Sequence, residues 1–351
     1  MKRRELIYLG WQGNDNFGDE LLYEAWKAAL DRPLAITAPL TPRRYAVTEA
    51  PRFLRDRVSS LGAERLVLLG GGTTIGFGTW ARHTRLARRM FAASGVIIPG
   101  AGAAERGDDA LLSTQPYDWD AWRTEPDVAL WGVRGPLTAL ECTRNWQPTG
   151  VIGDPALLYP LHREIDVEPQ STVGVCLGSG GRSAFDVATV AAAVTRIADD
   201  LGASITVFEV TPADAPVTNE LAHRLGRPAR LVRFVGDVHA MMREIAGCRL
   251  FFSERLHGAV AASSLRVPTV PLAYASKCDD YWLSVAEERP VIQPGARPSD
   301  IVTEGHRALA PAQRALRDGN VAMLQERLEQ AASRIRGWLA GGIPTAELLA
   351  A

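Results

Sequence analysis

The sequence has few of the features that mark a disulfide-bonded, metal-binding or nucleic-acid-binding protein. Its 351 residues include only four cysteines. Because these form no CxxC or Cys/His pattern, we predict a reduced, cytoplasmic chain without a bound metal. Lysine and arginine number 39 against 40 aspartate and glutamate, which gives a net charge of -1, and no long run of one sign occurs. This balance argues against a nucleic acid as the partner.

Long apolar runs are also missing. The N-terminal stretch MKRRELIYLGW has basic residues before an apolar run, but the run is short and leads into GNDNFGDE. We therefore interpret it as a first strand rather than a signal peptide. No segment reaches the roughly 20 apolar residues that a membrane span requires. Any contact with a membrane, for example through a membrane-linked substrate, is expected to be peripheral.

Short apolar runs that end in Gly, Asp or Asn recur along the chain, and each is followed by a helix-like pattern. The first half contains ELIYLG, PLAITA, RLVLLGGG, GVIIPGAG and DVALWGVRG, and the second half contains TVGVCLGSG, ITVFEV, RLVRFVG, RLFFSE and PTVPLAY. This alternation predicts an α/β fold with parallel sheets. A proline-containing connector separates the two sets and favours a domain boundary near residue 165.

We predict two Rossmann-like domains that face each other across a cleft. The first spans residues 1–165 and the second residues 166–306, and the helical segment 307–351 is expected to pack back on the first domain. In open α/β sheets, ligands bind at the carboxyl ends of the strands. Candidate functional residues should therefore lie in the loops that follow strands.

The loop after the first strand contains Gly13, Asn14, Asn16 and Asp19. Asp15 or Asn16 is suited to cap the next helix, whose backbone amides then face the loop. The polar residues are candidate partners of sugar hydroxyls, and plain turn and cap chemistry is the alternative. The loop lacks the GxGxxG spacing, so we reject a dinucleotide-binding fingerprint.

Two further loops of the first domain carry candidate residues. Gly70, Gly71 and Gly72 precede Thr73 directly after a buried strand, which is more glycine than a tight turn needs and favours a ligand contact. Arg134 lies between a strand and a helix that starts with proline, which predicts a guanidinium in the cleft. A surface ion pair is the alternative for this arginine.

Asp154 lies between Gly153 and Pro155. We expect its carboxylate to orient Arg134 or the end of a helix.

The stretch FSERLHGAV places Arg255 and His257 on either side of Leu256. If residues 249–252 form a strand, the two polar side chains leave on one side and Leu256 returns to the core. The helix that follows adds its positive end to the field of Arg255, so an anion is favoured and His257 is suited to general acid catalysis. The alternative is that His257 only caps the helix. Lys277 is expected at the same rim, or as an ordinary solvated lysine.

Taken together and in this order, these loops resemble the polysaccharide pyruvyl transferase family. The similar segments are GWQGNDNFGDELL, LLGGGT, GVRGPLTAL, IGDPALL and ERLHGAVAASSLRVPTVPLAYASK, which lie between about residues 8 and 280. The resemblance implies a GT-B-like fold and transfer of a carboxyethylidene group from phosphoenolpyruvate to two hydroxyls of a sugar, without a metal or other cofactor. Thr138 departs from the serine of many relatives, but both are small hydroxyl residues.

The resemblance also implies roles for single residues. Arg134 and Arg255 are expected to grip phosphoenolpyruvate from the two domains, with Leu256, His257 and Lys277 beside it and His257 as acid or base. The sugar acceptor is expected on the first domain, where four aromatic residues are candidate stacking partners, although core packing is the expected fate of most: Trp11, Phe17, Phe77 and Trp80.

Two other functions fit the same fold. A GT-B glycosyltransferase that uses a nucleotide sugar would bind a diphosphate, for which the loop CLGSGGRS is the candidate. A non-catalytic glycan-binding protein is the other alternative, and the combination of Arg134, Arg255, His257 and Lys277 argues against it.

Overall fold

The chain forms two compact units in a computed structural model that describes residues 3–31, 36–39, 46–59, 61–112, 116–168 and 170–350. The first unit consists of Met1–Asn14, Leu22–Tyr159 and Leu324–Ala351. The second consists of Asp15–Leu21 and Pro160–Met323. The sequence placed the whole N-terminal loop in the first domain, whereas the structure groups the short segment Asp15–Leu21 with the second unit.

The first unit contains a five-stranded parallel sheet in the order β2-β1-β3-β4-β5. Its strands are β1 Arg4–Gly10, β2 Ile36–Pro39, β3 Glu64–Leu69, β4 Gly95–Ala101 and β5 Val128–Val133. β1 and β3 pair in register, with Leu6 opposite Leu66. Both strands are buried except at the first residue and are free of charged residues after the second, as expected of a parallel sheet that is covered on both faces.

Helices connect the strands of the first unit. They are α1 Phe17–Ala29, α2 Ala50–Ser59, α3 Gly78–Phe91, α4 Asp109–Leu112, α5 Trp119–Arg123 and α6 Pro136–Asn145, followed by a 3₁₀ helix at Pro155–Leu158 and α7 Tyr159–His162. α6 begins with Pro136, where the missing N–H has no cost for the helix. The first turn of α1 and most of α7 are grouped with the second unit.

The second unit contains another five-stranded parallel sheet, in the order β10-β9-β6-β7-β8. Its strands are β6 Thr172–Cys176, β7 Ser204–Glu209, β8 Arg230–Arg233, β9 Leu250–Ser253 and β10 Thr269–Pro271. The chain proceeds outward from β6 to β8 and then returns to place β9 on the other side of β6. The topological switch point therefore lies between β6 and β9, which is where sheets of this kind bind ligands.

The helices of the second unit follow the same alternation. They are α8 Val187–Leu201, a 3₁₀ helix at Pro212–Asp214, α9 Ala215–Arg224, α10 Val238–Ala246, α11 Leu256–Ser264, α12 Ser276–Ala286 and α13 Pro298–Leu309. α11 consists mainly of Gly, Ala and Ser, and nearly all of its residues are buried. Such small side chains let the helix backbone pack closely against its surroundings.

The C-terminal segment contains the long helix α14 at Pro311–Leu339 and the short helix α15 at Thr345–Leu349. From Leu324 onward this segment is grouped with the first unit. Hydrogen bonds account for the grouping: Arg4 Nη1 donates to the carbonyls of Trp338 and Ile343, each at 2.7 Å, and Gln325 Nε2 donates to the carbonyl of Leu157 at 2.9 Å.

Within the described ranges, no helix combines the length and the apolar character that crossing a membrane requires.

Candidate active site

Four charged or titratable side chains come together in the second unit: Asp19, Arg255, His257 and Lys277. Arg255 and His257 directly follow β9, Lys277 follows β10, and Asp19 lies in the first turn of α1. The charges of the three basic residues all act on the carboxyl of Asp19. We call these four residues the charged cluster. Its members after β9 lie beside the topological switch point of the sheet.

The N-terminal loop reaches this cluster through contacts of Phe17. The Phe17 amide donates to the carbonyl of Val210 at 2.9 Å, and the buried Phe17 ring meets the Phe234 ring edge to face, with 5.6 Å between centroids. The next residue, Gly18, packs directly against the His257 ring, so that a Cβ atom there would overlap the imidazole. Asp19 directly follows Gly18, and among the charged groups His257 has the largest effect on the Asp19 carboxyl.

Asn16 caps α1. Its side-chain Oδ1 accepts a hydrogen bond from the Gly18 amide at 3.0 Å, and its backbone carbonyl accepts from the amides of Asp19 and Glu20 at 3.1 and 3.0 Å. In the first unit, Asn14 Nδ2 donates to the carbonyl of Trp11 at 2.8 Å and so closes the loop after β1. Both asparagines therefore have the turn and cap roles that the sequence offered as the alternative to sugar binding.

Asp19 is a carboxyl that titrates close to neutral pH. Burial raises the pKa of Asp19 to about 6, although the positive charges of His257, Lys277 and Arg255 oppose the rise. Histidine is the side chain that most readily exchanges a proton near neutral pH. The cluster thus contains two adjacent groups, Asp19 and His257, that are suited to proton transfer.

Arg255 is held by a carboxylate that the sequence analysis did not single out. Its Nε donates to Asp214 Oδ2 at 2.8 Å, and its Nη2 donates to Asp214 Oδ1. Asp214 is completely buried at the end of the 3₁₀ helix after β7. Burial alone would lower the pKa of Arg255, but the hydrogen bond and the charge of Asp214 outweigh it and the pKa is raised. Arg255 is therefore a permanent cation with one edge already occupied.

Glu254 organises the loop that follows β6. Its carboxylate accepts hydrogen bonds from the amides of Gly178 and Ala184 and from the hydroxyl of Ser183, each at 2.8 Å. The Glu254 side chain is fully buried. The loop that was the candidate for a diphosphate thus already binds an anion, and that anion is part of the protein.

Lys277 contributes positive charge to the cluster, where it acts on the Asp19 carboxyl. It is the second residue of α12, where the partial positive charge of the helix end disfavours a cation. Its Nζ lies 4.9 Å from the centroid of the Tyr274 ring. Among the described residues, no carboxylate lies within ion-pair distance of this ammonium. A cation in this position favours an anionic ligand.

The three consecutive glycines of the first unit have packing roles. Gly70 lies against the Tyr8 ring with no room for a Cβ atom, and a Cβ atom at Gly71 would lie 2.9 Å from a methyl carbon of Leu22. Gly71 and Gly72 also have positive φ angles of 134° and 75°. Neighbouring side chains and backbone conformation therefore account for these glycines without a ligand.

Arg134 is fully buried in the first unit. Its Nη1 donates to the hydroxyl of Thr73 at 3.1 Å, and its guanidinium lies against Gly102, where a side chain would overlap it. Asp154 Oδ1 accepts from the Ala156 amide at 3.0 Å and so caps the 3₁₀ helix, which is one of the two roles expected of it.

The four aromatic candidates differ in burial. Phe17, Phe77 and Trp80 are buried in hydrophobic cores, whereas Trp11 is 40% exposed in the loop after β1. In the same loop, Gly13 has a φ of 82° and open space around it. Trp11 is thus the one of the four named aromatics whose ring is available to a ligand.

Three residues of this site were not predicted from the sequence: Asp214, Glu254 and Tyr274. Asp214 follows the run ITVFEV, so the rule that functional residues follow strands would have found it in the next stretch, VTPAD. Glu254 and Tyr274 lie inside segments that the analysis did quote. Both are polar residues that closely follow a buried strand, and this position could have identified them as site candidates.

In the parts of the chain that the structure describes, no three or more His, Cys, Asp or Glu side chains are grouped so as to hold a metal ion.

Several solved structures share the fold of most or nearly all of the chain. The UDP-GlcNAc 2-epimerase from Methanocaldococcus jannaschii has a TM-score of 0.58 at 12% identity, over 95% of this chain and 99% of that one. The UDP-GlcNAc 2-epimerase from Neisseria meningitidis has a TM-score of 0.56 at 11% identity, over 96% and 100%. The pneumococcal O-GlcNAc transferase has a TM-score of 0.50 at 12% identity, over 82% and 60%.

At these identities the likeness concerns the fold alone. It confirms the predicted class, an α/β protein with two Rossmann-like domains of the GT-B kind.

No curated protein matches the sequence. The family model described as polysaccharide pyruvyl transferase matches residues 16–276, a range that includes Asp19, Arg255 and His257 and ends one residue before Lys277. The match covers well over half of the chain, and the predicted resemblance is thereby confirmed: the chain belongs to the polysaccharide pyruvyl transferase family.

Proposed function

We propose that this protein transfers the carboxyethylidene group of phosphoenolpyruvate to two hydroxyls of a sugar, forming a cyclic ketal and releasing phosphate. The observation that carries the proposal is the charged cluster of the second unit. There, two cations and two proton-exchanging groups meet at the carboxyl ends of β9 and β10. Membership of the polysaccharide pyruvyl transferase family supports the same reaction.

Phosphoenolpyruvate presents a phosphate and a carboxylate on a very small skeleton, so its site needs several positive groups close together. Lys277 supplies an ammonium that has no carboxylate within ion-pair distance among the described residues, and Arg255 supplies the edge that Asp214 leaves open. The amino-terminal ends of α11 and α12 add partial positive charge at Arg255 and Lys277. These groups would hold the two anionic ends of the molecule.

The reaction needs protons to move at four places. A proton adds to the methylene carbon, which makes C2 electrophilic, and the first sugar hydroxyl adds to C2 and gives up its proton. The C2–oxygen bond to phosphate then breaks, and phosphate leaves with the electron pair and one proton. The second hydroxyl adds to C2 and gives up its proton, which closes the ring. The two protons lost by the hydroxyls balance those gained by carbon and phosphate.

Asp19 and His257 are suited to these transfers. Burial raises the pKa of Asp19 to about 6, so this carboxyl can lose or gain a proton near neutral pH, and an imidazole is the commonest general acid or base in enzymes. We assign His257 as the acid for the methylene carbon or the base for the hydroxyl, and Asp19 as the partner that takes the opposite role. General acid–base catalysis of this kind contributes about 10²–10⁴ in rate.

The cluster favours this reaction over transfer from a nucleotide sugar. In that alternative, the loop between Gly178 and Ala184 binds a diphosphate, but two of its amides and a hydroxyl already hold Glu254. A purely glycan-binding protein would not need a carboxyl with a raised pKa beside a histidine, since such groups cost stability and serve proton transfer.

Product analysis tests the proposed function. The protein is incubated with phosphoenolpyruvate and a panel of hexosides, and released phosphate and product mass are measured. We expect phosphate release that depends on the sugar and a mass gain of one pyruvate less one water. In deuterium oxide the new methyl group should carry one deuterium, because one proton comes from solvent-exchanging groups. Release of a nucleoside diphosphate from a nucleotide sugar, without a ketal, would refute the proposal.

Replacing Lys277 by methionine is expected to weaken phosphoenolpyruvate binding by about 10- to 100-fold, because a charge-assisted contact contributes about 1.5–3 kcal/mol. The fold should not suffer, since the lysine lies at the unfavourable end of α12. Isothermal titration calorimetry and thermal unfolding measure the two effects.

Lys27→Met is the matched control for this variant. Lys27 lies in the last turn of α1 in the first unit and is paired with Glu24. Its replacement should leave phosphoenolpyruvate binding unchanged and slightly lower the melting temperature. Unchanged binding by Lys277→Met would remove this residue from the proposed site.

Replacing Gly18 by alanine is expected to abolish most turnover without unfolding the protein. The new methyl group would occupy the position of the His257 ring and displace it, whereas alanine itself favours the helix by about 0.5–1 kcal/mol. Gly319→Ala is the control, because a Cβ atom at Gly319 in α14 meets nothing within 4 Å. Steady-state phosphate release compares the two variants, and equal activity would show that the imidazole position is unimportant.

A further inference from the structure

Two buried carboxylates lie behind the cluster, and neither is a candidate to touch the substrate. Asp214 binds Arg255 through two hydrogen bonds, and Glu254 binds the loop between Gly178 and Ala184. Both carboxylates are completely buried. Burying a carboxylate costs desolvation free energy, which only well-placed partners compensate. The partners of Asp214 and Glu254 must therefore stay in place.

The two carboxylates are connected through Gly178. Gly178 has a φ of 138° and lies so close to Asp214 that any side chain there would overlap the carboxylate. Its amide donates to Glu254, the residue next to Arg255 in the chain. Asp214 is therefore confined between Gly178 on one side and the Arg255 guanidinium on the other.

The pairing determines which part of Arg255 is available. A guanidinium has five N–H donors, and Asp214 takes one from Nε and one from Nη2. The donors that remain are both hydrogens of Nη1 and the second hydrogen of Nη2. An anion can therefore approach only along the outer Nη1–Nη2 edge.

Because of this pairing, Arg255 and Lys277 contribute differently to anion binding. The charge of Asp214 offsets that of Arg255, so Arg255 contributes directed hydrogen bonds more than net charge. Lys277, which lies over Tyr274 without a carboxylate partner among the described residues, contributes the net positive charge.

We propose that Asp214 is a positioning residue for phosphoenolpyruvate binding: it fixes the Arg255 guanidinium so that its outer edge receives one anionic group of the substrate, and the loop held by Glu254 keeps Asp214 in place. This inference rests on the proposed function. It goes beyond it by separating the residue that orients the cation from the residues that bind the substrate.

A double-mutant cycle on phosphoenolpyruvate affinity tests the inference. Asp214→Asn, Arg255→Lys and the double variant are titrated with phosphoenolpyruvate by calorimetry. Asp214→Asn should weaken binding by about tenfold or more, and the double variant should bind no more weakly than Arg255→Lys alone, because Asp214 acts only through Arg255. Multiplying effects in the double variant would overturn the inference.

Asp214→Glu keeps the charge and guards against a variant that does not fold. Its carboxylate is one methylene longer and would hold the guanidinium in a different place, so binding should again weaken by about tenfold. Affinity within twofold of the unmodified protein would show that charge alone matters and would overturn the inference. Glu304→Gln is the control, since the buried Glu304 pairs with Arg307 and Arg317 elsewhere in the second unit, and its replacement should alter stability without changing affinity.

The unmodified protein is titrated first. If it does not bind phosphoenolpyruvate, the proposed function fails and this inference with it. If it binds and all Asp214 variants bind equally well, the inference alone fails.

Discussion

Replacement of His257 by alanine is expected to reduce turnover by about 10²–10⁴-fold while the protein still folds. His257 is the second residue of α11, partly exposed, and its ring lies against Gly18 rather than within a hydrophobic core. Its removal therefore takes away a proton-transfer group without leaving a large cavity. Phosphate release under saturating phosphoenolpyruvate measures the loss directly.

His306→Ala is the matched control for this prediction. His306 belongs to the same unit, lies in α13 and contacts Asp200 at 3.1 Å on the surface. Its replacement should leave turnover unchanged. An active His257→Ala protein would show that the imidazole does not transfer a proton in this reaction.

Replacement of Asp19 by asparagine is expected to stabilise the folded protein near neutral pH and to remove most of its activity. Because the pKa rises from 3.8 in the unfolded chain to about 6 in the folded protein, the folded state holds this proton more tightly. The stability of the unmodified protein therefore falls as pH rises through that window, by about 1–3 kcal/mol for this group. The asparagine variant lacks this loss.

Urea unfolding of both proteins between about pH 4 and pH 7 measures the difference. The free energies of unfolding should be similar at the lower pH and should diverge in favour of Asp19→Asn as pH rises. Asp15→Asn serves as control, because Asp15 is exposed and asparagine tolerates its positive φ of 52°. A constant difference across the range would mean that Asp19 has an ordinary carboxyl pKa and no part in proton transfer.

The sequence predicted the fold well because parallel strands are buried on both faces. Such strands appear as continuous apolar runs, and each of the ten runs overlaps one observed strand, from β1 in ELIYLG to β10 in PTVPLAY. The detail around β9 differs. The strand spans Leu250–Ser253, and α11 already begins at Leu256, with Arg255 as its N-cap.

The predicted burial of Leu256 between Arg255 and His257 has a different structural origin from the one expected. Extended spacing was expected to bury Leu256 and to leave its neighbours on one side. In the structure Leu256 is buried and its two neighbours are only partly so. The first turn of α11, rather than a continued strand, produces this arrangement.

The composition of the site was harder to predict, because its members come from distant parts of the chain. Asp19 was assigned to the first domain and to sugar binding, since its sequence neighbours belong there. The contacts of Phe17 with Val210 and Phe234 instead connect that loop to the second unit. A single apolar residue between Asn16 and Gly18 gives no sign in the sequence of which core it joins.

The role of the consecutive glycines was also hard to predict. The run from Gly70 to Gly72 indicates that something approaches the backbone, but sequence cannot tell whether it is a ligand or a side chain. In the structure the space is filled by Tyr8 and Leu22. Gly18 is crowded by a side chain in the same way, but there the side chain is the candidate catalytic His257.

A crystal structure of the protein with bound phosphoenolpyruvate tests the central claim most directly. We predict that one anionic group contacts Lys277 Nζ and the other the outer edge of Arg255, with the methylene carbon facing His257 or Asp19. Phosphoenolpyruvate bound elsewhere, with these side chains free of it, would contradict the account.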